Sequence, residues 1–212
     1  MSGWTINKYK IKLELSEPML GTTPCNPSIW AEHIGTKQAK ALKKEGLSEA
    51  DIKTEIEKTI EGVTDNDELK SGMTTFMQDE NGYFVRDYFV KGFFKQAAKC
   101  LKEFGTTKQL RSKVVQFLFV RPRQIYVADV DATLEVIERP LRASTPQGER
   151  VAIARSEAVP EGTTLGFEVH VLNDVIKKGC LEELLSYGEY EGLGQWRGSG
   201  AGRFSVVEFS QN

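Results

Sequence analysis

The sequence predicts a globular α+β protein whose sheet is mainly antiparallel. Three observations lead to this class. The 212 residues are 40% hydrophobic and 27% charged, which is the composition of an ordinary folded protein large enough to bury a core without disulfide or metal support. One strongly amphipathic helix lies near residue 90, and several strand-like segments follow it. Because those strands follow one another instead of alternating with helices, they favour an antiparallel sheet.

The first element is a strand, and two polar helices follow it. Apolar and charged side chains alternate over residues 9–15, which is the period-two pattern of a strand with one buried face. Asn26, directly before a proline, is typical of a helix start. Residues 28–44 and 48–62 then have the thin apolar stripes of two helices at the periphery of the fold.

The helix near residue 90 has two contrasting faces. Apolar residues at three- and four-residue spacing form a stripe that faces the core: Val90, Phe93, Phe94, Ala97, Ala98 and Leu101. The opposite side carries the ammonium groups of Lys91, Lys95, Lys99 and Lys102. Neighbouring like charges on a helix repel by about a few tenths of a kcal/mol per pair, a cost that a bound polyanion or an acidic neighbour would remove. A solvated face is the alternative.

The remaining elements are strands with one further helix. The apolar run from Val114 to Val120 predicts a central strand. Residues 165–171 alternate as a half-buried strand does. The other elements are expected as strands at 124–128, 133–138, 151–155 and 203–209 and as a helix at 173–186.

Charge is unevenly distributed along the chain, although the total is nearly balanced. The 28 Lys and Arg residues face 30 Asp and Glu residues, for a formal net charge of −2. The net charge is −6 over residues 41–80, +7 over residues 86–155 and −6 over residues 156–191. The balanced total argues against a generic polycation that coats nucleic acid. The basic middle can bind a polyanion, or it can neutralise the acidic segments across the fold or between subunits.

The most distinctive segment is rich in glycine. Six glycines lie between Tyr187 and Phe204, and Trp196, Arg197 and Arg203 lie among them. Glycines allow a backbone to approach a ligand closely, arginine adds charge, and tryptophan offers a surface on which a base can stack. The segment is neither a Walker A loop nor a Rossmann loop, because it lacks Gly-Lys-Ser/Thr and comes between a helix and the last strand. A bulged β-turn with several strained glycines is the structural alternative.

Three stretches resemble the RAMP (repeat-associated mysterious protein) superfamily, especially the backbone subunits of CRISPR effector complexes that bind guide RNA. The Gly-rich segment with its preceding helix, residues 184–204, is similar to the C-terminal signature loop of the family. Residues 89–98, Phe-Val-Lys-Gly-Phe-Phe-Lys-Gln-Ala-Ala, are similar to a helix start of the family, and residues 155–169 to its Val-Pro-x-Gly-Thr turn. The resemblance implies a ferredoxin-like (RRM-like) antiparallel sheet in a single domain over 1–212, with residues 28–72 as a helical insertion after the first strand.

The resemblance also implies that RNA binds along a basic face. The implied nucleic-acid-binding residues are lysines near the helix start and residues of the Gly-rich segment: Lys91, Lys95, Lys99, Gly194, Trp196, Arg197, Gly198, Gly200 and Arg203. Phosphate contacts of this kind position a strand without reading its sequence. The implied partners are RNA or single-stranded nucleic acid, together with other protein subunits or further copies of this chain.

Catalysis, metal binding and cofactors are not predicted. The target-cleaving backbone subunits carry an acidic residue in the loop after the first strand, and residues 19–30 contain none. The processing endonucleases of the family use an N-terminal histidine as acid and base, and His33 is the weak candidate here, without an identifiable partner. His170 is expected to face solvent, and Cys100 to be packed. No His, Cys, Asp or Glu cluster has the spacing of metal ligands.

The sequence also predicts a cytoplasmic protein without a membrane partner. No segment approaches the roughly 18 apolar residues that span a bilayer. The N-terminus lacks the apolar core of a secretory signal, and the three cysteines form neither an even set nor a close ligand pair.

The leading hypothesis is a non-enzymatic RNA-binding protein of RAMP type. It would be a subunit of a CRISPR-like ribonucleoprotein, or a phage or mobile-element homologue that has kept the fold. One alternative is a self-assembling structural protein of phage origin that binds no nucleic acid, in which the acidic insertion of one copy meets the basic middle of the next. Another alternative is a RAMP-type endoribonuclease that uses His33.

Overall fold

The structure is a computed structural model that describes residues 3–24, 73–128, 134–145 and 148–211. The chain divides into two compact units. The described residues of the first unit are 3–20, 81–128 and 159–211, and those of the second are 21–24, 73–80, 134–145 and 148–158. The predicted helical insertion at 28–72, with His33, lies outside the described residues, so both stay predictions.

Strands outnumber helices in the described ranges. The strands are β1 (Ile6–Leu15), β2 (Met19–Leu20), β3 (Thr23–Pro24), β4 (Met73–Thr75), β5 (Met77–Asp79), β6 (Gly82–Arg86), β7 (Leu118–Arg121), β8 (Gln124–Tyr126), β9 (Glu135–Thr145), β10 (Gly148–Val159), β11 (Thr164–Leu172) and β12 (Phe204–Gln211). The helices are α1 (Asp87–Leu101), α2 (Leu110–Phe117) and α3 (Lys178–Ser186), with short 3₁₀ turns at Tyr187–Glu189 and Arg197–Ser199.

The first unit is built on a four-stranded antiparallel sheet in the order β12-β1-β11-β7. β1 is central and pairs with β11 from Ile6–Leu172 to Glu14–Thr164. On its other side β1 pairs with β12, with a register shift between Lys12 and Leu13. Two helices, α1 and α2, come between β1 and β7 along the chain, and α3 comes between β11 and β12. The predicted α+β class with mainly antiparallel strands is confirmed.

The core of this unit lies between one face of the sheet and the helices. Alternate residues of β1 and β11 are buried, because successive strand residues point to opposite faces: Tyr9, Ile11, Leu13, Leu15, Leu165, Phe167, Val169 and Val171. The predicted apolar stripe of α1 packs into the same core. The ring of Phe93 on α1 meets the ring of Phe204 on β12 edge-on, with 5.0 Å between the centroids.

The predicted central strand over Val114–Val120 is wrong in its first half. These residues belong to α2 as far as Phe117, and β7 then forms an edge strand of the sheet. Two features explain the helix. Leu110 and Val114, four residues apart, are both fully buried on one face of α2, and a lysine of α1 binds the carbonyl groups at its C-terminal end, as described below.

The second unit contains a long β-hairpin. β9 and β10 pair antiparallel from Thr145–Gly148 near the turn to Glu135–Ala158 at the base. β10 also pairs in parallel with β4, which pairs antiparallel with β3. The Arg155 side chain forms an ion pair with Glu138, 2.5 Å between Nε and Oε1, across the hairpin. Both strands are longer than the predicted 133–138 and 151–155.

Candidate nucleic-acid interface

Lys91 lies where α1 meets α2, and its ammonium group is used inside the fold. Its Nζ donates hydrogen bonds to the carbonyl oxygens of Val114 (2.5 Å), Val115 (3.3 Å) and Leu118. These carbonyls lie at the C-terminal end of α2, and the last carbonyls of a helix lack N–H partners within the helix. Burial, with a smaller effect from Lys95, lowers the pKa of Lys91 to about 8. Lys91 therefore caps α2, and its predicted contact with phosphate is left without support from this geometry.

Lys95 and Lys99 lie further along α1 and are not engaged in this way. Lys95 is half-buried and Lys99 is exposed. Within the described ranges neither side chain forms an ion pair or a hydrogen bond. Their positive charges are therefore available to a ligand.

Part of this basic region was not predicted from the sequence. Residues 95–113 contain six Lys and Arg side chains and one acid, Glu103. Arg111 and Lys113 belong to α2, whose first turn follows the turn after α1. Because α2 was not predicted, no sequence pattern placed these two side chains beside the lysines of α1. The one available signal was the local excess of positive charge.

The base of the Gly-rich segment is packed tightly against the beginning of the chain. The N–H of Leu193 donates to the carbonyl of Gly202 (2.8 Å), and the N–H of Gly202 donates to that of Pro18 (2.9 Å). A Cβ atom on Gly202 would lie 2.0 Å from the Leu193 oxygen, and one on Gly194 would lie 2.5 Å from the Leu20 oxygen. These glycines are required by close backbone contact. Gly194 thus has a structural reason to be glycine, whether or not it also meets a ligand.

The tip of the segment is different. Trp196 has a left-handed backbone conformation (φ 58°), is 40% exposed, and precedes the 3₁₀ turn Arg197–Ser199. Gly200, with φ 97°, ends that turn. Gly198, within the turn, has nothing within 4 Å of the position of a Cβ atom, and its φ is not positive. The fold does not require glycine at 198, and the backbone there is open to a ligand.

The two arginines of the segment are held by weak polar contacts. Arg197 lies 3.6 Å from Glu191 (Nη1 to Oε1), and Nε of Arg203 donates to the carbonyl of Tyr190 at 3.3 Å. The Tyr187 hydroxyl donates to the same Glu191 (2.9 Å) and lies 3.3 Å from the sulfur of Cys100 on α1. Hydrogen bonding to Cys100 and to Glu191 raises the pKa of Tyr187.

Cys100 corrects one expectation and shows how the site is arranged. It is exposed, not packed, because it lies in the last turn of α1 at the edge of the apolar stripe. Lys99 and Cys100 point about 100° apart around the helix.

Within the described residues no hydrogen bond or ion pair joins the lysines of α1 to the Gly-rich segment. The predicted site residues therefore form two groups in the first unit, one beside α2 and one at the tip of the Gly-rich segment.

Other candidate groups add no site in the described part of the chain. His170, predicted to face solvent, lies on the sheet face opposite the helices, and its Nε2 is 3.0 Å from Glu168 Oε2. No group of three His, Cys, Asp or Glu side chains among the described residues could hold a metal ion. None of the helices in these ranges is long and apolar enough to cross a membrane.

Comparison with known proteins supports the fold. No protein-family model matches the chain, and no curated protein matches it. A solved chain that does resemble it comes from the cryo-EM structure of the type III-B Cmr-beta bound to cognate target RNA. The TM-score is 0.52 at 10% sequence identity, and the match covers 97% of this chain and 60% of that chain. The predicted resemblance to CRISPR effector subunits is thus supported at the level of the fold, and the chain spans about 60% of the neighbour's length.

Proposed function

We propose that this chain is an RNA-binding protein of RAMP type, without catalytic activity of its own, that serves as a subunit of a CRISPR-like ribonucleoprotein. The observation that carries the proposal is the run of six cations over residues 95–113, which make no ion pair within the described residues. A concentration of like charge with a single acid, Glu103, is typical of a polyanion-binding face.

Two further features support the proposal. The strand order β12-β1-β11-β7, with helices before β7 and before β12, is the order expected of a ferredoxin-like sheet. The fold neighbour is described as bound to target RNA, and a related role for this chain would require a surface that binds phosphates. The basic region of α1 and α2 and the tip of the Gly-rich segment are the parts of the first unit best suited to it.

The tip can bind a strand in three ways. Arg197, held only at 3.6 Å by Glu191, can exchange that carboxylate for a phosphate. The exposed ring of Trp196 can stack on a base. The open backbone at Gly198 lets the strand approach closely. Each contact is independent of base identity, so we expect binding with little sequence preference.

The test compares two double variants that remove the same charge. Arg197→Gln/Arg203→Gln removes two cations of the tip, and Lys8→Gln/Lys12→Gln removes two exposed lysines of β1. Fluorescence anisotropy with labelled single-stranded RNA should show an affinity loss of about tenfold or more for the arginine variant. Its slope of log affinity against log salt should be shallower by about 0.7 per lost contact. Equal affinities of the two variants would contradict the proposed site, and no RNA binding by the wild type would contradict the function.

A second candidate function is self-assembly without nucleic acid. The hairpin β9–β10 favours it, because Val151 and Ile153, on one face of β10, are 64% and 59% exposed, and exposed apolar side chains that lie together often mark contacts between proteins. The endoribonuclease hypothesis rests on His33, which lies outside the described residues. A cleavage assay that compares the wild type with His33→Ala would test it.

A further inference from the structure

A groove of about 500 Å³ lies between the C-terminal half of α1 and the first turns of α2. Its apolar lining comes from Ala98, Leu110 and Val115. Its charged lining comes from Lys99, Lys102 and Arg111, with no acidic residue among the lining side chains. The volume is within the range of about 300–1,000 Å³ that is usual for small-molecule sites.

The backbone around the groove is fixed at both ends. Lys102 and Gln109 both have positive φ angles, 63° and 53°, and the N–H of Leu110 donates to the carbonyl of Lys102 at 3.0 Å. Phe104 and Thr107 exchange two backbone hydrogen bonds within the turn between the helices. The Lys91 cap holds the far end of α2. Because both helices are held, the backbone positions that carry the three cations are set before any ligand arrives, which reduces the backbone entropy lost on binding.

The charges in the groove lack compensation. Within the described ranges Lys99, Lys102 and Arg111 make neither an ion pair nor a side-chain hydrogen bond. Three converging cations fit a ligand with more than one negative charge. Ala98 and Leu110 are fully buried, so the exposed apolar side chain of the groove is Val115, which is 47% exposed. Val115 fits a ligand that also has a flat, weakly polar body, because a small inorganic anion would leave this side chain in contact with water. A nucleotide has both parts.

We propose that this groove binds a nucleotide, with phosphate on Lys99, Lys102 and Arg111 and with the base or ribose against Val115. The nucleotide is either part of a bound RNA strand, in which case the inference rests on the proposed function, or a free nucleotide, which requires no RNA binding. The site is separate from the Gly-rich segment, which contacts α1 on the side of Cys100.

The experiment is an amide NMR titration of the full chain with ADP, with inorganic phosphate and with single-stranded RNA. ADP should produce saturable shifts over residues 98–115, and inorganic phosphate should bind there more weakly. Lys102→Gln/Arg111→Gln should raise the dissociation constant of ADP about tenfold or more. The matched control Lys8→Gln/Lys12→Gln and the tip variant Arg197→Gln/Arg203→Gln should leave it unchanged.

A further variant changes the shape of the groove without changing its charge, and so separates loss of the site from loss of charge or of folding. Ser112→Phe keeps every charge and projects a ring into the groove, so it should weaken ADP binding while the amide signals of β1 and β11 stay unchanged. If ADP does not bind but RNA shifts residues 98–115 and Lys102→Gln/Arg111→Gln weakens RNA binding, the nucleotide belongs to the strand and the inference stands. If ADP binds to a wild type that does not bind RNA, the inference stands and the proposed function fails.

Two outcomes overturn the inference. One is that neither ADP nor RNA shifts residues 98–115. This outcome counts against the groove also when Arg197→Gln/Arg203→Gln weakens RNA binding, because the RNA is then bound at the tip alone. The other is that Lys102→Gln/Arg111→Gln and the control Lys8→Gln/Lys12→Gln bind ADP with equal affinity.

Discussion

At the scale of single residues, the lysines of α1 look equivalent in the sequence and are not equivalent in the fold. Lys91 donates to three backbone carbonyls, whereas Lys95 and Lys99 make no described polar contact. The difference comes from α2, whose C-terminal carbonyls lie beside the first of these lysines. Local spacing predicted one row of four lysines, whereas α1 ends at Leu101, before Lys102, and the tertiary structure shows that the charge of Lys91 is already used.

Replacement of Lys91 should therefore destabilise the protein more than replacement of Lys95. Lys91→Met removes the donor for the carbonyls of Val114, Val115 and Leu118. Loss of such a buried partner costs about 1–3 kcal/mol. Urea unfolding of Lys91→Met and of the control Lys95→Met would measure the difference. Equal free energies of unfolding would show that the cap contributes nothing.

Lys91 should also give stability a particular pH dependence. Its pKa is lowered from 10.5 to about 8 in the folded state, so between these values the unfolded chain binds more protons. Stability from this group therefore rises as the pH increases from about 8 to about 10.5. The difference in unfolding free energy between wild type and Lys91→Met, measured across this window, should grow with pH. A constant difference would contradict the lowered pKa.

At the scale of elements, the sequence predicted those whose burial follows their own periodicity. The stripe of α1 and the alternation of β1 and β11 were sufficient, because each packs one regular face against the core. α2 was missed because the Val-rich run after residue 113 also fits a strand, and its helical form depends on Leu110 and on the distant Lys91. Pro140 within β9 interrupts the strand pattern, so the strand predicted at 133–138 was too short. Strand order depends on pairing between distant segments, which periodicity does not record.

Alanine substitutions at two glycines in different elements should change the free energy of unfolding in opposite directions. Gly202→Ala places a Cβ 2.0 Å from the Leu193 oxygen at a φ of 69°, so we expect a loss of about 2–4 kcal/mol. Gly92→Ala in α1 meets nothing within 4 Å at a φ that is not positive, so we expect a gain of about 0.5–1 kcal/mol. Thermal and urea unfolding would measure both. Changes of the same sign would contradict the described packing of the Gly-rich segment.

At the scale of the whole molecule, the state of association without RNA separates the proposed function from its rival. The rival predicts that the RNA-free protein associates, so a monomer by light scattering at low and at high salt would remove the rival. Assembly through the acidic and basic segments would raise the mass at low salt and lower it at high salt, because salt screens exposed charges. Association through the hairpin would persist at high salt and disappear in Val151→Ser/Ile153→Ser. Either kind of association without nucleic acid would favour the rival.

The left-handed backbone at Trp196 has a consequence for laboratory selection. Glycine would adopt this conformation without strain, whereas a tryptophan there costs about 1 kcal/mol or more. A screen for melting temperature alone is therefore expected to enrich Trp196→Gly together with Gly92→Ala. The survivors would be more heat-resistant and, on the proposed function, weaker at holding RNA, so a thermostability campaign on this chain needs a binding step in every round.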